Sequence, residues 1–173
     1  MKKKIVLTVL LSVLTLVCYV VVKELTYSPL TKANFNNLFP DYDNSAKKKC
    51  EVDLIGFSLH GELFDIFKYE LNDMTIDSCY PSIKDNWTNI AVSEECVVSA
   101  WQRIPIDSVT FCRCKDVFCL ESYGGKKCCV SFVSELSNPT NFYSYLYVNE
   151  LEYYFFLYCP DKHYLYYVRK NGW

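Results

Sequence analysis

The chain has 173 residues, 51% of them apolar, with 18 basic and 20 acidic side chains for a net charge of −2. That length supports one core of ordinary size and makes a second independent domain hard to accommodate. Scarce Gly and Pro beside 15 Tyr and 11 Phe argue against a disordered chain or a loop-rich knottin and for an ordered, aromatic-rich domain.

The first predicted element is a membrane anchor. Lys2, Lys3 and Lys4 precede a run from Ile5 to Val22 that holds no charge, and Lys23 and Glu24 close it. Eighteen residues at ~1.5 Å rise reach ~27 Å, close to the hydrocarbon depth of a bilayer. The run passes into Val20, Val21 and Val22 without the small residues a signal peptidase needs, so a retained single-pass signal-anchor is expected. Val17 before Cys18 does not suit a lipidation site, and Cys18 reads as a small apolar helix residue. By the positive-inside rule the N-terminus stays cytoplasmic and the remainder lies in the periplasm or outside the cell. Beyond the lysines, 15 basic residues face 20 acidic ones, a net −5 that gives nucleic acid no electrostatic reason to bind.

The expected organisation is an anchor over 1–23, a juxtamembrane helix and polar connector over 24–49, and an exported domain over 50–173. Ser28-Pro29 suits a helix start and Pro40 a helix stop, while the polar run Asp41 to Lys49 reads as an exposed connector. Between Val52 and Leu71, His60-Gly61 predicts a two-residue hairpin turn with pairs Phe57/Phe64, Ile55/Ile66 and Asp53/Lys68; one long strand bent at Gly61 is the alternative. Ile76 to Ala91 reads as irregular. Ser93 with Glu94 and Glu95, then Val97, Val98, Trp101 and Ile104, predicts a helix over 94–103 that Pro105 ends.

Short strands are expected over Ser108–Cys114, Val117–Tyr123 and Lys127–Val133, with a turn at Gly124-Gly125. From Phe142 to Val168 the Tyr, Phe and Val density predicts strands with turns at Asn149-Glu150 and Pro160-Asp161-Lys162. The fold class is thus α+β: an antiparallel meander of five to seven strands with one or two short helices, preceded by one transmembrane helix.

Nine of the ten cysteines lie beyond the anchor, an odd number that rules out complete pairing among them. The expected hairpins bring Cys112, Cys114, Cys119, Cys128 and Cys129 onto three neighbouring strands, Cys112 opposite Cys119 and Cys129 opposite Leu120, near enough for one or two disulfides. Buried reduced thiols are the equal alternative. The C-x-C-x₄-C spacing matches no common zinc site, and no C-x-x-C suits redox chemistry, so neither metal nor cofactor is expected.

His60 and His163 read as surface histidines near turns, and Glu62, Asp65, Glu94 and Glu95 as solvated acids. No nucleophile elbow, zincin helix, phosphate loop or calcium loop occurs. Asn86-Trp87-Thr88 is a glycosylation sequon with meaning only in an exported eukaryotic chain. Trp87 and Trp101 are candidate partner-binding aromatics, with core filling as the competing role. These features favour a tethered, non-enzymatic recognition or accessory protein that binds a protein partner outside the cytoplasm. An enzyme using a cysteine and a purely structural envelope component are the alternatives.

Overall fold

In the computed structural model the described residues are 9–19, 22, 28–56, 58, 60–76, 96–123 and 125–172. The chain forms two compact units, Met1–Thr31 and Lys32–Trp173. In the first, residues 9–19 are helical, and their apolar side chains are exposed on every side, from Val17 at 51% to Leu10 at 67%. Among the described residues no helix is long and apolar enough to cross a membrane. The expected span from Ile5 to Val22 lies partly outside those residues.

The second unit is α+β with a seven-stranded antiparallel sheet. Its elements are α1 (Lys32–Leu38), β1 (Lys47–Asp53), β2 (Leu63–Glu70), β3 (Val97–Val98), β4 (Gln102–Arg103) and α2 (Ser108–Arg113). A 3₁₀ helix (Lys115–Ser122), α3 (Lys127–Glu135), β5 (Phe142–Asn149), β6 (Glu152–Cys159) and β7 (Tyr164–Asn171) follow. The strand order is β1-β2-β7-β6-β5-β3, and β4 also pairs with β5. The meander expected from the Tyr-rich tail is present as β5-β6-β7, with a turn at Glu150-Leu151 and a 3₁₀ turn at Pro160–Lys162. The latter turn ends on His163 at φ 53, a left-handed residue whose N–H bonds Pro160 O at 3.1 Å.

Both faces of the sheet are buried. Phe64, Ile66, Tyr143, Tyr145, Tyr153, Phe155, Leu157, Tyr166 and Val168 pack against Cys114, Val117, Leu120, Cys128, Cys129 and Phe132 of the helical segment. On the other face α1 supplies Phe35, in edge contact with Tyr69 at 5.2 Å. Phe39, just after α1, lies 4.9 Å from Tyr158 and stacks on Trp101 at 5.7 Å. In β6 every residue from Tyr153 to Cys159 is buried, so alternation vanishes from a strand covered on two sides.

Several expectations are corrected. β1 begins at Lys47 inside the expected connector: Lys48, Cys50 and Val52 turn inward and the alternate residues face solvent, as an edge strand requires. The His60-Gly61 hairpin does not form. Asp53 opposes Asp65, Val52 opposes Ile66 and Lys68 opposes Cys50. The Asp53 carboxylate ends β1 by accepting from the N–H groups of Ile55 and Gly56 at 3.1 and 2.7 Å, and Phe57 lies outside the described residues.

The described part of the expected 94–103 helix is instead an interrupted edge strand along β5. Val97 opposes Tyr147, Gln102 opposes Tyr143, and Ser99 N donates to Tyr145 O at 2.9 Å. Unpaired N–H and C=O groups along β5 outweigh a modest helix preference. The three strands expected over 108–133 are α2, the 3₁₀ helix and α3. Their buried residues, Thr110, Cys114, Val117 and Leu120 and then Cys128, Cys129 and Phe132, recur at helical spacing.

Replacing Phe39 with Ala opens a void between Trp101 and Tyr158 and is expected to cost about 3–5 kcal/mol of stability, read from the urea midpoint at unchanged m-value.

Candidate partner-binding surface

α2 carries two exposed large apolar side chains, Val109 and Phe111, away from this core. Its start is fixed by Asp107, whose Oδ1 accepts from Val109 N at 2.8 Å and Thr110 N at 3.0 Å. Oδ2 accepts from the Thr110 hydroxyl and from Tyr143 Oη at 2.8 Å. The Thr110 hydroxyl above all, then the two backbone donors and Tyr143, hold this carboxyl down at about 2 against the burial that opposes it. Tyr143 Oη also reaches Gln102 Oε1 at 2.7 Å, so one buried phenol ties the helix cap to β4.

At 100° per residue, buried Thr110 and Cys114 define the inner side of α2, leaving Val109 and Cys112 on the crest and Phe111 and Arg113 on opposite flanks. Val109 is 53% and Phe111 52% exposed. The Phe111 ring stacks on Phe118 at 5.0 Å, and Phe118 meets the buried Phe155 edge-on at 5.9 Å. Phe111 is therefore an exposed ring held rigid by an aromatic column that runs into the core, an arrangement that lowers the entropy cost of contact with a partner. Cys112 and Cys119 add exposed thiols to the same layer.

On the other flank, Arg113 Nη1 donates to Tyr145 Oη at 2.8 Å, with the guanidinium 5.9 Å from the Tyr145 ring and 5.6 Å from that of Tyr147. Cys112, Arg113, Lys115, Tyr147 and Glu150 line a cavity of about 220 Å³. Two cations, one carboxylate and an aromatic wall suit a polar partner side chain carrying negative charge.

The expected thiol cluster is redistributed. Cys112 lies on α2, Cys114 at its C-terminal end, Cys119 on the 3₁₀ helix, and Cys128 and Cys129 on α3; Cys112 and Cys119 are exposed and the other three buried. All nine described cysteines are free thiols, and helices replace the hairpins that would have set Cys112 against Cys119. Burial pushes the Cys114 thiol up to about 12, the state of a buried apolar side chain rather than a nucleophile. Among the described residues no group of three or more His, Cys, Asp or Glu side chains is placed to hold a metal ion.

Trp101 is 6% exposed and donates its indole N–H to Leu38 O at 3.0 Å, so it fills the core and presents no surface to a partner. Trp87, Cys79 and the Asn86 sequon lie outside the described residues. Sequence reasoning missed Val109, Phe111 and Arg113 because the segment read as a strand; Asp107 three residues before Thr110 is the capping signal that marks the helix. No protein-family model, curated protein or solved structure matches this chain.

Asp107→Ala is expected to destabilise the fold by about 1–2 kcal/mol through loss of the cap. The Asp107 carboxyl sits below its ordinary value of 3.8, so its stabilisation is complete above that pH and fades as pH falls toward about 2. An acid titration of stability should accordingly be shallower over pH 4 to 2 in Asp107→Asn than in the unmodified protein.

Proposed function

We propose that this chain is a membrane-tethered, non-enzymatic recognition or accessory protein whose folded unit binds a protein partner outside the cytoplasm. The observation that carries this reading is the Phe111 ring, half exposed on one flank of α2 yet stacked through Phe118 onto Phe155. A large apolar side chain normally reaches such exposure on a mobile surface. Here it is preorganised, and the same short helix exposes Val109 on its crest and borders the charged Arg113–Lys115 cavity on its other flank, apolar and charged features that an interface combines.

The tether is proposed from the leader. Residues 9–19 form a helix that is apolar and exposed on all sides, a pattern that suits hydrocarbon surroundings and not water. With Lys2 to Lys4 before it, the run from Ile5 to Val22 would keep the N-terminus cytoplasmic and place the folded unit in the periplasm or at the cell surface. An envelope-complex subunit or a neutraliser of secreted toxins would suit this arrangement.

The bait for a partner is the full chain in mild detergent, because a fragment that starts at residue 41 lacks Phe35, Leu38 and Phe39 and with them one wall of the core. Affinity capture from membranes of the source cell is expected to retain one stoichiometric protein, and Phe111→Glu to reduce its recovery at least tenfold. Equal recovery by the variant, with its thermal midpoint unchanged, removes the Phe111 flank of α2 as the binding surface; absence of any stoichiometric protein removes the recognition role. Carbonate-washed membranes should keep the chain in the pellet, and release into the supernatant refutes the anchor.

A further inference from the structure

We infer that the cavity beside α2 is a carboxylate-binding subsite, and that the partner fills it with an acidic side chain about one helix width from the recess that takes Phe111. This deepens the recognition reading and rests on it for the partner, whereas the subsite itself can be read without one.

The cavity of about 220 Å³ is lined by Cys112, Arg113, Lys115, Tyr147 and Glu150. It is smaller than the usual pocket for a cofactor or drug-sized ligand and matches a single side chain. Arg113 is fixed from behind: Nη1 donates to Tyr145 Oη at 2.8 Å, and Tyr145 is buried in the core. The Tyr145 and Tyr147 rings lie 5.9 and 5.6 Å from the guanidinium. A neutral phenol takes one of the five guanidinium donors and brings no negative charge. The contrast is with Arg169, whose charge Asp65 closes at 2.6 Å. None of the ion pairs among the described residues uses Arg113, Lys115 or Glu150.

Charge selects the occupant. Two cations and one carboxylate leave the lining at net +1, which a single carboxylate neutralises. A phosphate dianion overshoots that charge and meets Glu150 as well. The Tyr147 ring offers apolar surface to the methylene stem of a Glu or Asp side chain. A guanidinium that is already immobilised loses little entropy on forming a forked pair with a carboxylate. Phe111 and Arg113 leave α2 on opposite flanks, and a helix with its side chains is ~10 Å across, so the partner presents its acid about that far from its apolar recess.

The test reads the subsite through Cys112, which lines it, with Cys119 as an exposed thiol of the same layer that does not. Full-length protein in detergent is alkylated with iodoacetate or with neutral iodoacetamide, and each cysteine is quantified by peptide mapping. In both cases the thiolate sulfur attacks the methylene carbon and iodide leaves, so the ratio of the two rates does not depend on how much thiolate is present. The iodoacetate-to-iodoacetamide ratio is expected to be about tenfold higher at Cys112 than at Cys119, the size that one charge-assisted hydrogen bond supports. The Cys112 rate should saturate with iodoacetate, and Glu150→Gln should raise the ratio. Arg113→Gln should bring it down to that of Cys119; should this variant fail to fold, the exposed Lys115→Gln is expected to lower it. Equal ratios at the two cysteines, a rate that climbs linearly with iodoacetate, or no response to either substitution overturns the subsite. Sodium acetate should slow carboxymethylation of Cys112 more than sodium phosphate at equal ionic strength, and the reverse order overturns the carboxylate assignment. In affinity capture Arg113→Glu is expected to lose the same protein that Phe111→Glu loses, and undiminished recovery removes the acidic contact from the interface. A carboxylate preference at Cys112 with no protein captured by the unmodified chain supports the subsite and overturns the recognition reading alone.

Discussion

A sheet packed on both faces and filled with tyrosine must find a partner for each buried phenolic hydroxyl, and that requirement organises the rest of the molecule. An unpaired buried hydroxyl costs about 1–3 kcal/mol, comparable to a sizeable share of a domain's net stability. Here the rings of β5, β6 and β7 stay in the core while their hydroxyls reach its margin and take hold of the connecting segments. Tyr143 meets the Asp107 cap of α2, Tyr145 accepts from Arg113 at its other end, and Tyr153 donates to Asp116 of the 3₁₀ helix at 3.1 Å. Tyr166 and Ser131 of α3 lie 2.6 Å apart, and on the opposite face Tyr158 donates to Met74 O at 3.1 Å. Each latch sits where the side chain leaves the sheet, so the helical layer is positioned by hydroxyl geometry as much as by apolar contact.

Charge is placed by the same logic. Lys170 is only 7% exposed, and its ammonium pairs with Asp116, the carboxylate that also receives the Tyr153 hydroxyl. Arg169 binds Asp65 across β2 and β7 through Nε at 2.7 Å and Nη2 at 2.6 Å. Burial raises the Asp65 carboxyl, and the guanidinium works against that rise. A buried pair of this kind is weak evidence for net stability, since desolvation offsets much of its Coulomb energy. Its effect is on register: a one-residue slip of β7 would leave both charges without partners in the interior.

What the sequence discloses follows from which elements carry their own signals. The tail was legible because Asn149-Glu150 and Pro160-Asp161-Lys162 punctuate dense aromatic runs; the second turn falls there and the first one residue later, at Glu150-Leu151. Lys47 to Asp53 concealed an edge strand, since half its residues face water and only Cys50 and Val52 among the rest are apolar. Residues 108 to 135 misled for another reason. Val, Phe and Thr lean toward strand in intrinsic preference, and tertiary contact overrides that lean here. The spacing of Thr110, Cys114, Val117 and Leu120 held the answer, but it is visible only once the exposed Val109 and Phe111 are discounted as core. The residues that obscured the helix are thus the ones that form the proposed surface, as expected where local rules yield to a functional demand.

Cysteine usage fits the same division between interior and surface. Cys114, Cys128, Cys129 and Cys159 fill the core beside phenyl and phenol rings, where a small polarizable group packs without demanding a strong hydrogen bond. Burial raises all four thiols, which keeps them protonated and unreactive toward solutes that never reach them. Cys112 and Cys119 meet solvent on the layer that carries Phe111. Cys50 stands between these classes, half-buried at the bulge of an edge strand and packed against the cluster that holds the inner thiols.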